Sequence, residues 1–235
     1  MKYVFLTFIL PFYLFADTNE FYTPPSDIKD LWMKNKHDKT LPNVLLIGDS
    51  ISMGYHKTVV KGLNGKANVY RPRTNCGDTP KGLREISKWL GKAKWDVIHF
   101  NFGLHDLCYR HPKAKVYGSR DKVNGTQQVP VEQYKANLEK LVQILKKTEA
   151  KLIFATTTFI PEGEAGRFVG DDIKYNKAAL EVMKKHDITI NDLWLTTSKF
   201  EPKQFRKPGD VHFTGKSSEI LGKQVIKAVE EKLKK

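Results

Sequence analysis

The chain has 235 residues, 40% of them hydrophobic and 11% aromatic, with a formal net charge of +14. That is enough apolar material for one sizeable core in a single domain, and the two cysteines and scattered histidines exclude a structural zinc module. The positive surplus suits polyanions such as acidic glycans, anionic lipid surfaces or nucleic acid, or simply a lysine-rich solubilising surface.

Residues 1–16 carry one lysine, an apolar run and then Leu14-Phe15-Ala16, the layout of a secretory signal that is removed on export. The run is shorter than the roughly 20 residues of a spanning helix, and no second apolar run of that length follows. The mature protein is therefore expected to be exported, periplasmic or secreted, with no transmembrane segment. An oxidising compartment permits Cys76 and Cys108 to pair, and the sequence leaves open whether they do. Residues 17–42 are polar, contain Pro24-Pro25, and read as a leader lying over the main domain at residues 43–235.

That domain opens with Asn43-Val44-Leu45-Leu46-Ile47, a strand buried on both faces, running into Gly48-Asp49-Ser50 and a helix from Met53 to Leu63. Ser50 thus stands at the carboxyl end of a central strand, either as a nucleophile or as the cap of the next helix. Ala67 to Arg71 reads as a second strand, followed by the loop Thr74 to Thr79 and a helix with Leu83, Ile86, Trp89 and Leu90 on one face. Trp95 to Phe102 is the third strand, ending in Gly103-Leu104-His105-Asp106. Leu107 to Val129 shows little periodicity and carries Arg110, Lys113, Lys115, Arg120 and Lys122, the composition of a functional or disordered loop. A helix from near Pro130 follows, with Leu138, Leu141, Val142 and Leu145 at helical spacing.

Lys151 to Thr156 is the fourth strand, and the glycine-rich loop after it contains Arg167, either solvated or in contact with an anionic substrate. A helix through Tyr175, Ala179, Leu180 and Met183 leads to a short fifth strand, Ile188 to Ile190. The chain closes with Asp210-Val211-His212 and a helix whose apolar face is Leu221, Val225, Ile226, Val229 and Leu233. His99 reads as a core residue and His37, His56, His111 and His186 as surface residues. Gly215-Lys216-Ser217 lacks the glycine spacing of a phosphate loop. Alternating strands and helices mean a parallel sheet covered on both faces. Ser50, Asn75-Gly77, Gly103-Asp106 and Asp210-His212 should gather at one edge of it.

Gly48-Asp49-Ser50, Gly77-Asp78-Thr79, Gly103-Leu104-His105-Asp106 and Asp210-Val211-His212 resemble, in order and spacing, the four signature blocks of the SGNH (GDSL-type) hydrolases. The resemblance implies a three-layer α/β/α, flavodoxin-like fold around a five-stranded parallel sheet. It also implies a serine esterase without metal or cofactor, acting on acylated sugars, lipids or thioesters. By it, Ser50 is the nucleophile, His212 the base and Asp210 the acid, with Ser50, Gly77 and His105 around the oxyanion. Asp49, Asp106, Arg110 and Arg167 are expected near the substrate. Acyl transfer needs these groups in any case: a hydroxyl, an imidazole to take its proton, and fixed donors for the developing oxyanion.

Two positions depart from the family pattern. His105 replaces an asparagine, so it either donates to the oxyanion, adding a pH dependence of its own, or packs within its loop. Gly209 occupies the usual acid position, leaving Asp210 two residues before His212 or a dyad without an acid.

The reading is an exported esterase removing an acyl group, acetyl first, from a carbohydrate. A lipid- or thioester-directed esterase and an inactive glycan-binding protein are the alternatives. The basic loop should overhang the site, where Lys113, Lys115 and Arg120 would select an anionic glycan. No nucleic acid is expected, and the oligomeric state is open.

Overall fold

The computed structural model describes residues 31–33, 37–113 and 119–234; the expected export segment, most of the leader and Lys115 lie outside them. The strands are β1 (Leu31–Met33), β2 (Asn43–Ile47), β3 (Asn68–Pro72), β4 (Val97–Phe100), the pair β5 (Tyr109–Arg110) and β6 (Thr126–Gln127), β7 (Lys151–Ala155) and β8 (Thr189–Asn191). Val44, Leu45, Leu46 and Ile47 are fully buried, because parallel strands with helices on both faces have no solvent side. The main sheet runs β1-β3-β2-β4-β7-β8. Five of its strands are parallel, as expected, and β1 adds an antiparallel edge strand with Leu31 opposite Pro72. Part of the leader is thus a strand of the sheet rather than a cover on it.

Taken in chain order from β2, the parallel strands lie in the flavodoxin-like order 2-1-3-4-5. Connections leave β2 and β4 in opposite directions, and their carboxyl ends therefore bound a crevice where ligands of such sheets bind.

The helices are α1 (Ser50–Gly62), α2 (Thr79–Leu90), α3 (Val131–Lys146), α4 (Asp171–Lys185), α5 (Leu193–Thr197) and α6 (Gly215–Lys234). α1 packs on α6, while α2 and α4 each pack on α3. Leu221, Val225 and Val229 of α6 are fully buried, with Ile226 and Leu233 partly so. Helix α1 begins at Ser50 rather than Met53 because Asp49 caps it, its Oδ1 accepting the Ile51 N–H at 2.9 Å. The capping duty therefore falls to Asp49, and the Ser50 hydroxyl is not needed for it. Asp78 does the same for α2, accepting from Lys81 N–H at 2.9 Å, with Pro80 in the first turn.

The aperiodic stretch after β4 is not a free loop. β5 and β6 pair, Arg110 bridges to Arg120, and Tyr109 N–H and Lys122 N–H donate to the carbonyls of Gly166 and Ala165 at 2.7 and 3.0 Å. Those bonds stitch it to the glycine-rich loop after β7. His99 is buried as expected, accepts from Asn191 Nδ2 at 3.0 Å, and is pushed down to about 4 by burial. His56 is fully buried rather than on the surface, as its place on the inner side of α1 dictates. Cys76 and Cys108 are both buried free thiols.

Candidate active site

Ser50 is the first residue of α1, just past the end of β2. His212 reaches it from the turn before α6: Nε2 lies 2.9 Å from Ser50 Oγ, and Nδ1 lies 2.6 Å from Asp210 Oδ1. Asp210 Oδ1 also accepts the His212 backbone N–H at 3.0 Å. A carboxylate two residues ahead of an N–H closes such a local ring readily, which is how an acid one position later than the family pattern still meets the imidazole. With Nδ1–H donating to Asp210, Nε2 is left as the acceptor for the serine hydroxyl. Burial raises the Asp210 carboxyl, but its two bonds from His212, together with the His212 and Arg120 charges, hold it below the ordinary carboxylate range.

The turn is itself held. Arg206 N–H donates to His212 O at 2.9 Å, Thr214 N–H to Gln204 O at 2.9 Å, and the rings of Phe200 and Phe213 meet edge to face at 5.3 Å. Gly209 has φ +68°, and a Cβ there would lie 2.5 Å from Gly163 O, so only glycine fits at this point.

Around Ser50 lies a hollow of about 290 Å³ lined by Asp49, Asn75, Leu104, His105, Arg110, Arg120, Arg167, Val211 and His212. His105 arrives on the loop after β4. That loop can pass the end of β7 because Gly103, at φ +150°, has no Cβ to strike Thr157 Oγ1 at 1.8 Å. Burial, and then the Arg167 and Arg110 charges, hold His105 below the usual imidazole range against the opposing pull of Asp49 and Asp78. The pH dependence expected from this imidazole is thereby displaced to the acid side. The Gly77 N–H donates to Asn75 Oδ1 at 3.0 Å. Asn75, expected at this edge, brings to the hollow a carboxamide that has no role by sequence alone.

Of the residues expected near substrate, Arg110 and Arg167 line the hollow, and Asp49 does so while capping α1. Asp106 does not. It is fully buried, its Oδ1 accepting from Thr79 N–H at 2.8 Å and Thr79 Oγ1 at 2.5 Å, so it ties the loop after β4 to the start of α2. Among the basic-loop residues, Arg120 faces the hollow and Lys113 is exposed. A larger apolar hollow of about 540 Å³, at Ile173, Leu180 and Trp194, holds none of the Ser50, His105 or His212 groups.

Arg71, in β3, was missed as a site residue. It is fully buried beneath the Ser50 turn, where its Nη2 donates to Gly48 O at 2.9 Å and Asp49 O at 3.3 Å, and its Nε to Ser52 Oγ at 3.2 Å. Gly48 O also accepts Cys76 N–H, and Asp49 O also accepts Met53 N–H and Ser52 Oγ, so Arg71 adds second bonds that tie the turn to β3.

No protein-family model matches the chain, and no curated protein matches it in sequence. Solved structures do match. A lipase/acylhydrolase from Enterococcus faecalis superposes with TM-score 0.66 at 19% identity, covering 81% of this chain and 96% of that one. This is the SGNH hydrolase fold. The acetyl xylan esterase AlAXEase gives TM-score 0.61 at 15% identity over 80% of this chain and 99% of its own. A catalytic mutant of Axe2, an acetylxylan esterase from Geobacillus stearothermophilus, gives 0.62 at 15% identity over 80% and 94%. Among the described residues no helix is long and apolar enough to cross a membrane.

Proposed function

We propose that the chain is an exported serine esterase that removes an acyl group, acetyl first, from a carbohydrate. One observation carries the reading: the hydrogen-bonded chain Ser50–His212–Asp210 at the edge of a hollow. Ser50 Oγ attacks the ester carbonyl while His212 Nε2 takes its proton, and Asp210 holds the resulting imidazolium. The oxyanion is met by the Ser50 N–H and by donors from the Gly77 and His105 loops. Collapse expels the sugar alcohol, which takes the proton from His212. Water, activated by the same imidazole, then releases the acid and restores the serine. Two of the structural neighbours are called acetylxylan esterases, which makes an acetylated saccharide the first substrate to try.

The test is hydrolysis of a short-chain chromogenic ester, and acetate release from acetylated oligosaccharides, by the mature protein and its Ser50→Ala and His212→Ala forms. Because nucleophile and base act as a unit, each single substitution should remove nearly all activity and the double should cost little more. Retention of most of the rate in Ser50→Ala would refute the reading.

A further inference from the structure

We infer that the hollow beside Ser50 takes an ester bearing a fixed negative charge next to the scissile bond, held by Arg110, Arg120 and Arg167. The inference rests on the esterase reading above and names the kind of ester.

These guanidiniums come from two separate loops, yet backbone bonds between residues 109 and 166 and between 122 and 165 hold the loops together. Arg167 is only 4% exposed. Its Nε donates to Leu104 O at 2.8 Å and its Nη1 to Glu164 Oε1 at 2.9 Å, while Arg120 Nη1 donates to the same oxygen at 2.6 Å. Glu164 is fully buried, its other oxygen accepts Gly166 N–H at 2.7 Å, and it is not among the residues lining the hollow. One carboxylate thus braces two guanidiniums from behind, and the cations, not the carboxylate, front the hollow.

Arg110 Nε donates to Gln128 Oε1 at 2.8 Å. Asp49, the acidic residue in the lining, caps α1 with its Oδ1 and sets one negative charge against the three guanidiniums. Two guanidiniums share the single charge of Glu164, so the lining keeps a positive surplus for an entering anion to meet, and Arg167, the buried one, is the least screened of the three. A guanidinium fork matches the two oxygens of a carboxylate or sulfate. Arg110 and Arg167 act electrostatically on His105, and Arg120 acts on Asp210, so the cations act on groups beside the serine.

The anion can belong to the acyl half or to the alcohol half of the ester, and two substrate pairs separate these. The first compares a nitrophenyl hemisuccinate with the matching butyrate; the second compares acetylated glucuronic acid with acetylated glucose. In at least one pair the anionic member should have a kcat/KM about tenfold or more above its neutral counterpart, and the pair that does so identifies the half. Arg110→Gln and Arg120→Gln should each shrink that ratio about tenfold, the first at a melting temperature close to the parent's and the second at a lowered one, because it takes a partner from the buried Glu164. Ratios near one in both pairs, or ratios unmoved by either substitution, overturn the inference.

If no ester of either kind is hydrolysed, the esterase reading falls on its own. Calorimetric titration of Ser50→Ala protein with acetylated glucuronic acid, butyl hemisuccinate and their neutral counterparts then decides the charge question. Tighter binding of an anionic member, lost with Arg110→Gln, sustains it; equal binding of all four ends it.

Discussion

His105 stands where the SGNH pattern has an asparagine, and its half-buried ring faces the same hollow as Ser50. Held below the usual imidazole range by burial, it is neutral at neutral pH, so one ring N–H is present as a donor there. A donor used only in the transition state should show itself in kcat. His105→Ala is expected to lower kcat by about 10² to 10³ with little change in KM, and His105→Asn to recover part of the loss. A packing role predicts lowered melting temperatures and an unchanged kcat. The mutants' kcat and melting temperature, measured together, separate the two. Asp210 shows what residue spacing alone leaves unsettled: nothing in the run Gly209-Asp210-Val211-His212 says whether an acid two positions away can reach the ring. The answer lies in the local bond from His212 N–H to Asp210, a backbone matter.

Among the elements, strands with continuous apolar runs were legible, because Val44 to Ile47 or Leu152 to Ala155 can only be buried on both faces. β5 and β6, of two residues each, have no period to read; they pair with each other, and the loop after β7 accepts the Tyr109 N–H of β5. Arg71 and Glu164 were illegible for a related reason, since a charged residue in a strand or loop announces nothing about the distant carbonyls or guanidiniums it will meet.

Asp106 joins two elements and yields a pH prediction. Burial pushes it up to about 8, against the lowering effect of its Thr79 bonds, and its Oδ2 has no hydrogen-bond partner among the described residues. A carboxyl raised on folding favours the folded state fully below its unfolded value of about 4. That contribution is lost as pH rises toward about 8, where the folded group ionises. Asp106→Asn keeps an oxygen for both Thr79 donors and carries no ionisable proton. Its melting temperature should therefore match the parent's near the low end of that window and exceed it increasingly toward the high end. A constant difference across the window would mean that the substitution acts by packing.

For the whole molecule, the net charge of +14 and the arginine-lined hollow act over different ranges. Exposed charges are screened beyond a Debye length of about 10 Å at 0.1 M salt, whereas guanidiniums braced on a buried carboxylate are screened much less. A long anionic saccharide feels both fields: the broad one speeds its approach, and the local one seats the ester. Raising salt from about 0.01 M to about 0.5 M should therefore lower kcat/KM for an acetylated anionic polymer by about tenfold or more, mostly by slowing association. A small anionic ester should lose much less, and a small neutral ester should not respond. Parallel loss for the polymer and the neutral ester would mean that salt acts on the protein itself, leaving the surface charge a solubilising role. Equal resistance of polymer and small anionic ester would confine the electrostatics to the hollow.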